Sequence, residues 1–299
     1  MENSKSCKIL DDRFIEKTLV KTFQNKIPQK KIAIITYGAT GSGKSTIINY
    51  IFKNHGHIFS SMQKEDYDLK RFVEINIDNI VTQMGDYNDK MSEILNQSDQ
   101  QSISQMATSV YFDCRNQVEP LSSYVLDKCI SENYNIIYET TGNSVQWMLG
   151  DVSKMRSNGY HVILLFPFVL WDTLQMRLKS RNQNSQRKVN MKYAEINYNN
   201  AMNNFFKVVN HVQESYIVDM TKDQNELSNV LNPKENVIVH IDNQMAYNIS
   251  NKNYNCLNIN SFMNHYDVQY KQQIEPSLYN ESKKTVDFFM KLKNKCKSS

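Results

Sequence analysis

Residues 35–50 read ITYGATGSGKSTIINY. Within them Gly38, Ala39, Thr40, Gly41, Ser42, Gly43, Lys44 and Ser45 fit the spacing G-x-x-x-x-G-K-[ST]. The run before, KKIAIITYG (30–38), is short, apolar and β-branched and closes on glycine, which predicts a buried strand. The run after, STIINYIFKNH (45–55), predicts a helix. A glycine-rich loop in that context lets successive backbone N–H groups wrap a phosphate at a helix N-terminus, where the dipole favours negative charge. Lys44 would reach the β- and γ-phosphates and Ser45 would ligate Mg²⁺, with the nucleotide-binding stretch running on through Thr46.

Outward from the loop, strands alternate with helices. Apolar positions at helical spacing over 9–27 (Phe14, Leu19, Val20, Phe23) end at Pro28. RFVEINID (71–78) alternates as a second strand and passes into a polar helical stretch. Residues 107–133 predict a long helix with a break at Pro120, and YNIIYETTG (134–142) a third strand ending in a polar turn. A helix over 145–157 leads through Asn158-Gly159 into YHVILLF (160–166). Helices over 171–184 and 191–213 precede SYIVDM (215–220). This order predicts an α/β fold: a doubly wound, mainly parallel five-stranded sheet with helices on both faces. Beyond about residue 222 the chain turns polar and Asn-rich. NVIVHID (236–242) reads as one more strand, and the division is a core over 1–225 and an extension over 226–299.

The chain has 299 residues, enough for a sizeable core, and 22% of them are charged. A net charge of +4 is too small at this length to point to nucleic acid by itself. The five cysteines are scattered and form no CxxC pair, which predicts free thiols in a reducing cytosol. The N-terminal stretch MENSKSCKILDDRF has no apolar core, and the longest apolar run, VILLFPFVLW (162–171), is too short to span a bilayer. These features predict a soluble cytoplasmic protein with no membrane partner.

A GTPase needs an N-K-x-D base reader, and neither FQNKIPQ nor YNDKM supplies one. A motor-type ATPase would carry an apolar run ending in an acidic pair; NIIYE, with Glu139, is the nearest match. Kinases of small molecules or nucleotides remain. Such an enzyme holds a hydroxyl in line with the γ-phosphate, accepts its proton and closes a cationic lid. Asp78, leaving the second strand at the sheet's carboxyl edge, suits the base, although Asp there also suits a helix N-cap. DTLQMRLKSRNQNSQRKV (172–189) brings Arg177, Arg181 and Arg187, whose forks suit phosphate oxygens. The same run also suits a solvated helix.

Together GATGSGKST, INIDNIVTQMGDYN, ENYNIIYETTGNS, NGYHVILLF and the Arg-bearing segment resemble the zeta-toxin family of P-loop kinases over about residues 30–220. The resemblance implies an ATP- or GTP-dependent, Mg²⁺-requiring kinase. It implies Asp78 as the residue that activates the acceptor hydroxyl, and Arg187 with one of Arg177 or Arg181 as phosphate-binding. It also implies Glu139, Thr141 and Gly142 as the lining of the acceptor pocket. Members that phosphorylate UDP-N-acetylglucosamine carry an acidic residue in the preceding helix, where this chain has Ser123, with Glu119 one turn earlier. The His-Pro usual after the second strand is replaced by QMGDYN. Kinase chemistry survives these departures, but the acceptor does not follow from them, and neither does an antitoxin or other protein partner. Two other readings stay open: a polynucleotide 5′-hydroxyl kinase, whose basic surface would have to include KKTVDFFMKLKNKCKSS (283–299), and a nucleotide-binding scaffold without catalysis.

Overall fold

Strand β1 (Ile32–Tyr37) is buried along its whole length, because it lies between two other strands with helices on both faces. The structure, a computed structural model, describes residues 7–53, 58–96, 100–184, 189–220, 237–242 and 245–247. The other described strands are β2 (Phe72–Ile75), β3 (Asn135–Thr140), β4 (His161–Phe168), β5 (Glu214–Asp219), β6 (Val237–Asp242) and β7 (Met245–Tyr247). They form one sheet in the order β2-β3-β1-β4-β5-β6-β7. The first five are mutually parallel, as the alternating pattern predicts. The last two are antiparallel and lie in the segment read from sequence as an extension.

The helices are α1 (Asp12–Phe23), α2 (Lys44–Lys53), α3 (Ile77–Val81), α4 (Gly85–Leu95), α5 (Gln100–Ser131), α6 (Val145–Ser157), α7 (Trp171–Asn184) and α8 (Met191–Val208). Alternate residues of β1 face opposite ways, as a pleat requires. Ile34 packs with Ile47 and Ile51 of α2, while Ala33, Ile35 and Tyr37 pack with residues of α5, α6 and α8. A third cluster joins α3, α4 and the first half of α5 through Ile77, Val81, Met91, Cys114 and Val118.

Pro120 does not break α5, which runs unbroken through it. A proline inside a helix costs roughly 3 kcal/mol. Val118, Leu121, Val125 and Leu126 around it are all buried, and each such side chain contributes about 1.5–3 kcal/mol. Burial outweighs the lost hydrogen bond. The cysteines also depart from expectation: Cys7 and Cys114 pair as a disulfide with Cα atoms 4.8 Å apart, while Cys129 is free and buried. Spacing 107 residues apart gives no local signal of that pairing. No helix among the described residues is long and apolar enough to cross a membrane.

At the amino edge of the sheet, the buried carboxylate of Glu214 anchors the connection that follows α2. It accepts hydrogen bonds from Ser60 N (3.1 Å) and Ser60 Oγ (2.7 Å), and from the Ser61 and Tyr216 hydroxyls. His161 Nε2 lies 2.9 Å from Oε1. Burial would raise the Glu214 pKa, but the bonds from His161, Ser61, Tyr216 and Ser60 outweigh it and hold the group at about 2, against an ordinary 4.5. A depressed carboxyl pKa stabilises the fold fully above the unfolded value and loses that contribution as pH falls through the folded one. Glu214→Gln is therefore expected to lower stability by roughly 1–3 kcal/mol at neutral pH and to flatten the loss of stability between pH 4.5 and 2. Urea melts across that range check this; a variant whose pH dependence parallels wild type would contradict it.

Candidate active site

The phosphate loop leaves β1 at the carboxyl edge of the sheet, between β3 and β4. Its glycines take conformations that other residues avoid, φ 88° at Gly41 and 94° at Gly43. A side chain at Gly41 would press on Leu178, and one at Gly43 on Met220, so the loop is held close between neighbours. Ala39, Thr40, Ser42 and Lys44 are buried. The Ser42 hydroxyl, inside the loop, has no hydrogen-bond partner, as fits a cradle shaped for a ligand rather than for itself. Lys44 Nζ folds back over the loop and donates to the carbonyls of Gly38 (2.9 Å) and Ala39 (3.1 Å). Thr46 follows Ser45 in the first turn of α2.

Glu139, at the end of β3, ties the loop to the next strand. Ser45 Oγ donates to its Oε2 at 3.0 Å, Asn76 Nδ2 donates to the same oxygen at 3.0 Å, and Lys44 Nζ lies 3.7 Å from Oε1. The resemblance assigns Glu139 to the acceptor side; here it also faces the loop. A hydroxyl and a carboxylate oxygen are the hard donors that suit Mg²⁺.

Asp78 is not the cap of α3. Asn76 is, its side chain accepting from Asn79 N at 3.2 Å. Asp78 stands in the first turn, where the helix dipole favours an anion. Its carboxylate accepts from the Tyr111 hydroxyl, Arg115 Nη1 donates to Tyr111 Oη at 3.3 Å, and Arg115 Nε donates to Glu119 at 3.0 Å. Burial opposes the Arg115 charge, but Tyr111, Asp78 and Glu119 more than restore it.

Asn76, Asp78, Arg115 and Glu119 line a cavity of about 290 Å³ that Lys44, Glu139 and Thr141 also reach. Trp147 stands at its edge with 38% of its surface exposed. Phe112 and Tyr193 meet edge-to-face, with centroids 4.8 Å apart, on another wall. Lys44 and Glu139 also border a second cavity of about 270 Å³ on the α2 face of the sheet.

Gly142 has a different place. It turns the chain after β3 at φ 70° with its Cα against the Tyr37 ring. Its carbonyl accepts from Asn204 Nδ2 at 3.1 Å, and Tyr37 Oη donates to the Ala201 carbonyl at 2.7 Å. Gly38 N donates to the Thr140 carbonyl at 3.2 Å. The turn, the phosphate loop and α8 thus hold one another.

Helix α7 lies over the loop, with Leu174 and Leu178 toward Gly41. Arg177 Nη2 donates to the Met220 carbonyl, just past β5, at 2.6 Å. Arg181 is half-buried one turn on. Arg187 lies outside the described residues, as does the basic segment 283–299.

Asn76, Tyr111, Arg115 and Trp147 escaped the sequence reading. The signal for two of them was available: Tyr111, Arg115 and Glu119 recur every four residues, a single stripe along a helix.

The zeta toxin family model matches residues 16–236. By fold the chain is similar to one from the PezAT chromosomal toxin–antitoxin system of the human pathogen Streptococcus pneumoniae, with a TM-score of 0.53 and 16% identity, covering 71% of this chain and 80% of that one. It is also similar to a chain of AvrRxo1-ORF1:AvrRxo1-ORF2 with sulphate ions, with a TM-score of 0.52 and 10% identity, covering 94% of this chain and 84% of that one. At such identities the likeness concerns the fold alone. No curated protein matches the chain in sequence.

Gly142→Ala tests the turn. A left-handed residue that gains a side chain against a buried ring should cost roughly 2–5 kcal/mol. Thermal melts are expected to show that loss, and an unchanged melting temperature would mean that the turn is not held as described.

Proposed function

The chain belongs to the zeta toxin family and is a nucleotide-dependent P-loop kinase; we propose that it transfers the γ-phosphoryl group of ATP or GTP to a hydroxyl of a small acceptor. Nucleotide sugars, with UDP-N-acetylglucosamine first among them, are the acceptor class we put forward. The observation that carries this reading is that the lysine of the phosphate loop and the carboxylate of Asp78 reach one cavity.

In this mechanism the loop N–H groups and Lys44 hold the β- and γ-phosphates. Ser45, with Glu139, would hold Mg²⁺, which when bound neutralises charge on the phosphate oxygens. Asp78 takes the proton of the acceptor hydroxyl as that oxygen bonds to the γ-phosphorus. The bond from phosphorus to the β,γ-bridging oxygen breaks, leaving the nucleoside diphosphate and a phosphomonoester. Arg187, with one of Arg177 or Arg181, closes over the transferring group and excludes water. The 290 Å³ cavity, with carboxylates and a guanidinium on its walls and Trp147 at its edge, suits a polyhydroxylated ring carrying a flat group.

A scaffold that only binds nucleotide has no use for a carboxylate beside the phosphates. Asp78→Asn separates the two readings. Nucleotide binding, followed by calorimetry, should persist. Transfer of label from γ-labelled ATP to a small-metabolite extract should fall by roughly 10²–10⁴. Unchanged transfer would remove Asp78 from the mechanism. Lys44→Ala should lose transfer and weaken nucleotide binding together, because it uncovers the phosphate charge in a site built of backbone N–H groups. Undiminished turnover in that variant would mean that the loop is not the active site.

A further inference from the structure

Asp78 lies among several charges. The same cavity is lined by Arg115 and Glu119 of α5, Lys44 of the loop, Tyr138 and Glu139 of β3, and Tyr193 of α8. Three carboxylates, Asp78, Glu119 and Glu139, therefore share one cavity with two fixed cations, Arg115 and Lys44. A base must be ionised to accept a proton, and a hydrogen bond to the charged form of a carboxylate favours that form.

The stripe on α5 provides that bond. Tyr111 donates its hydroxyl hydrogen to Asp78 Oδ1. Arg115 Nη1 donates to the same tyrosine oxygen at 3.3 Å, which polarises the hydroxyl toward Asp78. Glu119 accepts from Arg115 Nε at 3.0 Å and so holds the guanidinium over the tyrosine rather than out in the cavity. The three residues are spaced i, i+4, i+8 and share a helix face. The backbone below the stripe is fixed as well. Cys114, the neighbour of Arg115, is fully buried and bonded to Cys7, and Ile77 beside Asp78 packs into the same cluster.

We infer that Tyr111 and Arg115 are positioning residues for Asp78: the tyrosine fixes the plane of its carboxylate, and the guanidinium behind the tyrosine favours its ionised form. The inference rests on the reading of Asp78 as the base, but the device itself is a property of the resting protein. Neither nucleotide nor acceptor is needed to see it. It also assigns Glu119 two tasks, one as a wall of the acceptor cavity and one as the counter-charge that aims Arg115.

The test is the titration of Asp78 in the full chain, followed by the side-chain carboxyl ¹³C resonance of ¹³C-aspartate-labelled protein and assigned by its loss in Asp78→Asn. Tyr111→Phe keeps the ring and removes only the hydroxyl, so the fold should stand, as far-UV circular dichroism will verify. The Asp78 midpoint is expected to move to higher pH by about one pH unit, a tenfold gain in proton affinity, because a hydrogen bond to the charged form is lost. Arg115→Met is expected to move it at least as far. Arg115→Lys, which keeps the charge but not the fork, should show only part of that shift. Titrations of Tyr111→Phe and Arg115→Met that overlay the wild-type curve would overturn the inference and leave the stripe as packing. Because no turnover is measured, that result would stand apart from the transfer experiment with Asp78→Asn. If Asp78→Asn loses transfer while the curves overlay, the base is right and the positioning wrong. If the curves separate while Asp78→Asn still transfers, the reverse holds.

Discussion

The carboxylate of Glu139 joins the loop to the helix that follows β2. Glu139 is the last residue but one of β3, in register with Thr36 of β1. From there it receives the Ser45 hydroxyl of the loop and the Asn76 amide that caps α3, and it lies within reach of the Lys44 ammonium. Three chain segments, separated by 31 and 63 positions along the sequence, meet at one pair of oxygens. The loop is tied to Glu139 through Ser45, and α3, which carries Asp78, is capped by Asn76, which binds the same oxygen. A single charged group at a strand end thus links the loop to the helix that carries Asp78.

The second constraint is steric. Tyr37 leaves β1 just before the loop and fills the space under the turn after β3, so that Gly142 has room only for hydrogen. The same tyrosine reaches the α8 backbone, and α8 holds the turn in return through Asn204. Helix α7, directly before α8 in the chain, lies with its leucines over the loop. Loop, turn, α7 and α8 thus form one packed unit beside the cavity that Tyr193 lines.

Much of this was legible in local patterns. The strand–loop–helix reading placed the phosphate cradle, and the alternation of apolar runs predicted five parallel strands and the edge at which Asp78 emerges. Other features escaped because they depend on partners far along the chain. Tyr111 and Arg115 look like the solvated side of a long helix until α3 packs against them. The disulfide between Cys7 and Cys114 joins residues with no shared motif. Pro120 reads as a break because propensity is local, whereas the burial that overrides it comes from α3 and α4 on one side and the sheet on the other. Glu139 was legible as a strand-end carboxylate, yet its contact with Ser45 depends on the pairing of β1 with β3. Gly142 fell within a recognised turn, but the Tyr37 ring and a φ of 70° together explain why it has no side chain.

The most direct test of the account is the fate of the γ-phosphate. Purified full-length protein with Mg²⁺ and γ-³²P-ATP would be offered nucleotide sugars, including UDP-N-acetylglucosamine, together with a 5′-hydroxyl oligonucleotide, and the labelled products separated and identified by mass spectrometry. The account predicts label in a phosphomonoester of a small hydroxyl acceptor. Label confined to inorganic phosphate or to oligonucleotide ends, or no loss of label from ATP, would contradict it.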